Sequence, residues 1–170
     1  MRRMNASKLL IPALLLASLP AVAADLTFDV LLKTAYRTNS ELAAEADREY
    51  ARAVEIGESG FKAGTAKEFD AALDRAAILG HVGAADLKCT MRSNAALGLV
   101  FMREGYAWCR IAAAYFKQSD PAKEQRVTAA VLSVTERLGP ENKHLGEEYE
   151  QFTLRRMLDA ARQSKKPAAR

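Results

Sequence analysis

Apolar residues recur at steps of three and four along nearly the whole chain, the period of an α-helix with one buried face. Leu26, Phe28, Leu31, Leu32, Ala35 and Tyr36 form a first such face, with Asp25 or Thr27 placed to cap it. Asn39 and Ser40 break that pattern, and Ser40 opens a second helix, rich in Ala and Glu, to about Ile56. Gly57, Ser59, Gly60 and Gly64 mark a loose connection. A third helix is predicted over Thr65–Leu79, with core face Phe69, Ala72, Leu73, Ala76 and Leu79. Thr65 and Glu68 have capping-box spacing at its start, and Gly80 stops it. The fourth covers Ala84–Leu97, stepping through Ala84, Leu87, Met91 and Ala95 to Gly98. Asp120 as cap and Pro121 at the first helical position open the sixth, with Val127, Ala130, Val131, Val134 and Leu138 inward. Gly139-Pro140 closes it, and Pro140 opens a seventh in which Leu145, Tyr149 and Phe152 lead into Met157, Leu158 and Ala161. Alternating runs of β-branched residues are scarce, so no sheet is predicted. The fold class expected is all-α, with about seven helices.

The fifth helix, from about Glu104 to Phe116, differs from the others. Ala107, Ile111 and Ala114 form one apolar row and Trp108, Ala112 and Tyr115 another, leaving few polar positions on any side. A helix apolar nearly all round is normally enclosed by other elements, so this segment is expected at the centre.

The N-terminus reads as a targeting segment. Arg2, Arg3 and Lys8 precede an apolar run from Leu9 to Leu19, and Ala21-Val22-Ala23-Ala24 ends it. A basic start, a short apolar middle and a small-residue end make a secretory signal peptide over residues 1–24. The run is shorter than the ~20 residues a membrane span needs, which disfavours an N-terminal anchor. Met4-Asn5-Ala6 lacks the apolar pattern that follows a twin-arginine pair, so general secretion is expected. The cut changes the charge picture. The chain carries 25 basic and 21 acidic residues; less the three leader cations, 22 face 21, net +1. So even a balance leaves no electrostatic footprint for nucleic acid. Residues 25–163 form one helical domain by length, with no membrane anchor in the mature chain, and residues 164–170 a disordered basic tail.

Two segments resemble one another. Ala72-Leu73-Asp74-Arg75-Ala76-Ala77-Ile78-Leu79-Gly80 aligns with Ala107-Trp108-Cys109-Arg110-Ile111-Ala112-Ala113-Ala114 at an offset of 36 residues from Ala76-Ala77 to Ala112-Ala113. That is close to the length of a tetratricopeptide helix–turn–helix repeat. With Arg75-Ala76-Ala77, Gly80, Ala84, Leu97-Gly98 and Tyr106-Ala107-Trp108, the chain resembles the Sel-one-like repeat family, an α-solenoid relative of tetratricopeptide repeats. Leu138-Gly139-Pro140-Glu141-Asn142 is similar to the Leu-x-Pro-Glu-Gln step that often follows the last repeat of secreted members. The likeness covers about residues 65–160. Lys88 stands where the family prefers an apolar residue and Cys89 where it prefers Gly. The resemblance implies antiparallel helical hairpins in a compact array, packed through Ala76, Ala77, Gly80, Gly98, Ala107, Trp108, Ala112 and Ala113, and adaptor or scaffold work.

The two cysteines, Cys89 and Cys109, lie equidistant from residue 99, beside the turn expected at Gly98. In an antiparallel hairpin such positions face each other, and both sit on rows of small residues that allow close approach: Ala85, Cys89 and Ala96 on one helix, Gly105, Cys109 and Ala112 on the other. An even count in an exported chain favours a disulfide; two buried free thiols are the alternative.

Candidate chemistry is sparse. His81 follows Gly80 and His144 lies in a polar helix start, neither at metal-ligand spacing from another ligand. Glu147, Glu148 and Glu150 are expected to pair with Arg155 and Arg156 along one solvated face. No phosphate loop, nucleophile elbow or zinc-helix motif is present. Tyr36, Tyr50, Tyr106, Tyr115 and Tyr149 are either surface anchors or core. The reading is an exported protein, periplasmic or secreted, that binds another protein as adaptor, scaffold or inhibitor, without catalytic, cofactor-binding or metal-binding residues. Binding of a small ligand or cell-wall fragment in a helical groove is the alternative, with a small hydrolase behind it.

Overall fold

A computed structural model of the chain describes residues 40–60, 64–94, 98–117 and 119–163. The leader expected over residues 1–24, the helix expected over residues 26–36 and the tail expected over residues 164–170 lie outside them. Six helices make up the described residues, with no strand among them: α1 Ser40–Glu58, α2 Thr65–Ile78, α3 Val82–Arg92, α4 Leu99–Phe116, α5 Pro121–Leu138 and α6 Lys143–Gln163.

The helix ends show what local chemistry decides. Asp120 caps α5, its carboxylate accepting from the Lys123 N–H at 3.1 Å, with Pro121 at the first helical position. Gly80 closes α2 at φ 98°, where the His81 N–H donates to the Ala76 carbonyl and the Gly80 N–H to that of Ala77. This double return uses up carbonyls that the helix end would leave unpaired. Gly64, not Thr65, occupies the capping position of α2, and Thr65 falls one step inside the helix. α3 starts two residues earlier than expected because His81 caps it, Nδ1 accepting from the Ala84 N–H at 3.1 Å. α3 stops at Arg92, and α4 runs from Leu99 rather than Glu104. α6 begins at Lys143, after a turn at residues 140–142, rather than at Pro140.

α4 is the centre. Gly105, Tyr106, Ala107, Trp108 and Cys109 are buried in succession, and Ile111, Ala112 and Phe116 follow. Five consecutive buried residues sample every side of a helix, so neighbours are needed all round. They are α3, α5 and α6, all packed on α4. α1 pairs with α2, and α2 reaches both α3 and α6. The main partners of α6 are α4 and α2, not the α5 that precedes it. The last helix therefore folds back across the earlier ones instead of completing a third hairpin.

The core side of α2 is the predicted one, with Phe69, Ala72, Leu73, Ala76 and Leu79 all buried. Two other faces are rotated. In α3 the buried residues are Ala84, Ala85, Lys88 and Cys89, while Leu87 and Met91 sit at the rim. In α6 they are Gly146, Thr153, Leu154, Met157 and Ala161, leaving Phe152 52% exposed.

Candidate functional site

Cys89 and Cys109 come together in the core between α3 and α4, sulfurs 2.07 Å apart and Cα atoms 4.5 Å apart. Backbones this close require a small residue alongside, and Gly105 supplies it: a Cβ there would stand 2.6 Å from the Arg92 carbonyl oxygen. Of the repeat-type positions, Ala76, Ala77, Ala107, Trp108 and Ala112 are fully buried, and Ala113 packs at the edge of the same core. Gly80 ends α2, and Gly98, at φ 79°, precedes α4. These residues hold helices together; they do not converge on a binding surface.

What converges is a set of charged and aromatic side chains around Tyr149. It is built from one residue that the pattern places inside and chemistry would place outside. Lys88 is 3% exposed, on the buried face of α3. A buried ammonium requires a partner, and α2 provides it: Lys88 Nζ donates to Asp74 at 2.8 Å. The same ammonium lies 5.2 Å from the Trp108 ring centre, a cation–π contact that adds to the ion pair. The second Asp74 oxygen accepts from Arg156 of α6 at 2.7 Å. One carboxylate thus joins three helices. Burial pushes the Asp74 carboxyl up, but Lys88 and Arg156 together outweigh it and hold it below its ordinary value.

A second pair of carboxylates holds Arg92, which meets Asp70 of α2 and, at 3.2 Å, Glu104 of α4. Burial raises the Glu104 carboxyl above its ordinary value, against the pull of Arg92 and Lys88. Tyr149 lies half-buried amid this group, and burial together with the Glu104 and Asp74 carboxylates raises its phenol. The guanidinium of Arg103 sits 5.6 Å from the Tyr149 ring centre and that of Arg156 5.8 Å from Phe152. The Tyr149 and Phe152 rings are 5.8 Å apart. Trp108 Nε1 and Arg103 Nε are buried without a hydrogen-bond partner among the described residues.

The expected pairing within α6 is not what forms. Glu150 reaches Arg110 of α4 at 2.8 Å, Glu147 takes Lys143 at 3.0 Å, and Arg156 goes to Asp74. Tertiary partners win because α6 lies across α4 and α2. The tyrosines divide: Tyr106 is core, Tyr50 stacks on His81 at 4.0 Å between ring centres, and Tyr149 belongs to the cluster. Tyr36 is outside the described residues. His81 also lies 3.6 Å from Asp47, and burial lowers its pKa against that carboxylate. Among the described residues no group of His, Cys, Asp and Glu is arranged to hold a metal ion.

Sequence reasoning did not assemble this site, because its members come from four helices and one is set by the rotation of α6. A signal was present in Lys88, a charge standing where the repeat pattern wants an apolar residue. Chemically, the cluster offers fixed guanidinium donors, flanking carboxylates and aromatic faces, a set suited to holding a polar ligand and its apolar neighbour. Compared with known proteins, the chain matches no family model, no curated protein and no solved structure.

Proposed function

We propose that the chain is an exported helical-repeat protein of Sel-one-like type that acts as a protein–protein interaction module, an adaptor, scaffold or inhibitor in the cell envelope. The observation that carries this reading is the surface around Tyr149. Arg103, Tyr149, Phe152 and Arg156 stand together over a base of buried ion pairs. Arginine and large aromatic residues dominate the energetics of protein interfaces, because each presents wide contact area with directional donors. Here Arg156 is held beforehand by Asp74, itself held by Lys88, which reduces the ordering cost of association. Export is supported by the basic, apolar and small-residue order of residues 1–24 and by the bonded cysteine pair. No helix among the described residues is long and apolar enough to cross a membrane.

Affinity capture on the purified protein from envelope extracts tests the reading. A stoichiometric protein partner, lost when Tyr149→Ala and Phe152→Ala are combined, is the expected result. Saturable binding of a small ligand or cell-wall fragment, with no protein partner, would replace it with the groove-binding alternative.

A further inference from the structure

One arginine beside Tyr149 makes no ion pair among the described residues. Lys88 and Arg156 share Asp74, and Arg92 is held by Asp70 and Glu104. Each of these three cations is in an ion pair. A fourth cation, Arg103, makes no ion pair within 4 Å among the described residues, although Glu104 lies near enough to feel its charge, and its buried Nε has no hydrogen-bond acceptor there. A buried donor left unpaired is costly, and more so when the group is charged. The Tyr149 ring covers one side of its guanidinium. Beyond Tyr149, Phe152 leaves 52% of its surface in solvent.

We propose that Arg103 is the anchor of a subsite for an acidic peptide segment of the partner, a carboxylate side chain held by the Arg103 guanidinium and an adjacent apolar side chain laid on Phe152. The proposal rests on the protein-binding reading above and names the chemistry its partner must present. The guanidinium is a planar fork that takes a carboxylate or a phosphate, and two features favour a peptide carboxylate. Asp74 and Glu104 flank Tyr149, so a doubly charged phosphate meets more repulsion than a single carboxylate. The apolar ring of Phe152 has a use only if the ligand carries an apolar group next to its charge.

The test is a titration of the purified disulfide-bonded protein, ¹⁵N-labelled, with the blocked tripeptide Leu-Glu-Phe, the same peptide with Gln for Glu, and inorganic phosphate. The readout is the Arg103 Nε–H resonance. The Glu peptide should shift it saturably and bind at least about tenfold tighter than the Gln peptide, the worth of one charge-assisted hydrogen bond. Arg103→Gln should abolish that preference, and Phe152→Ala should weaken both peptides. Equal binding of the two peptides, or a shift reproduced by phosphate alone, overturns the subsite, and neither result depends on a variant folding. An envelope partner captured equally well by wild type and Arg103→Gln overturns the subsite while leaving the interaction module standing. Absence of any protein partner overturns both.

Discussion

At the scale of single residues, two positions carry consequences out of proportion to their size. Gly105 lies mid-helix, where Ala would gain about 1 kcal/mol in helix propensity. A Cβ there meets backbone, the Arg92 carbonyl at 2.6 Å, and backbone cannot rotate aside as a side chain can. Steric displacement of α3 from α4 should win, so Gly105→Ala is expected to lose about 1–3 kcal/mol in urea unfolding. Asp74 acts through charge. Its carboxyl is held below its ordinary value by Lys88 and Arg156 against burial, so the folded state gains from its ionised form. That contribution is fully present above the unfolded value of 3.8 and is lost as pH falls through the lower folded value. Asp74→Asn should therefore destabilise the protein at pH 7, with the gap to wild type closing below about pH 3.8. Glu104 works in the opposite sense: burial raises it, so its charged form costs stability above its folded pKa, and acid relieves that cost. Chemical denaturation at a series of pH values separates the two, since only the Asp74 contribution disappears in Asp74→Asn. Lys88 explains why the sequence was legible here only in outline. Its charge shows in the sequence, but its partner Asp74 lies 14 residues away on another helix.

At the scale of elements, legibility follows how local the deciding interaction is. The start of α5 is written in Asp120-Pro121, and the end of α2 in Gly80, because each cap is made within a few residues. α3 began early because His81, read only as a residue after a stop, turned its ring nitrogen onto the next helix. The buried sides of α3 and α6 could not be read from period alone. α3 packs through its small residues to bring its backbone against α4, and α6 turns Leu154 and Met157 inward, displacing Phe152 to the surface. The most testable of these element-level claims is the α2 stop. Gly80 holds φ 98°, outside the range L-residues adopt comfortably, and its turn places His81 to cap α3. Gly80→Ala should cost about 1–2 kcal/mol from left-handed strain. Hydrogen exchange should report the loss first at the Ala84 amide, which the His81 ring protects.

At the scale of the whole molecule, stability depends on how α4 is held, since α3, α5 and α6 all pack on it. The Cys89–Cys109 bond ties α4 to α3 across 20 residues of chain. It acts mainly on the unfolded state: a closed loop of that length has fewer conformations to lose, worth roughly 3 kcal/mol in the chain-entropy account. The folded state supplies a second effect. Both cysteines are fully buried in the main core, beside Trp108 and Ile111, so a reductant reaches the sulfurs only when the helices separate. Two results are expected together. The Cys89→Ala/Cys109→Ala protein should unfold at lower urea with a steeper slope, because its open unfolded chain exposes more surface. The wild-type bond should resist dithiothreitol in native buffer and yield at the rate of unfolding once urea is added, followed by mass. Rapid reduction without urea would mean that α3 and α4 part locally while the rest stays folded, and that the tie is not at the centre of one cooperative unit. Slow reduction, matched to global unfolding, would place α4, the disulfide and the Lys88–Asp74 pair beside it in the last structure to open. The surface around Tyr149 would then stay rigid in every state that keeps the protein folded.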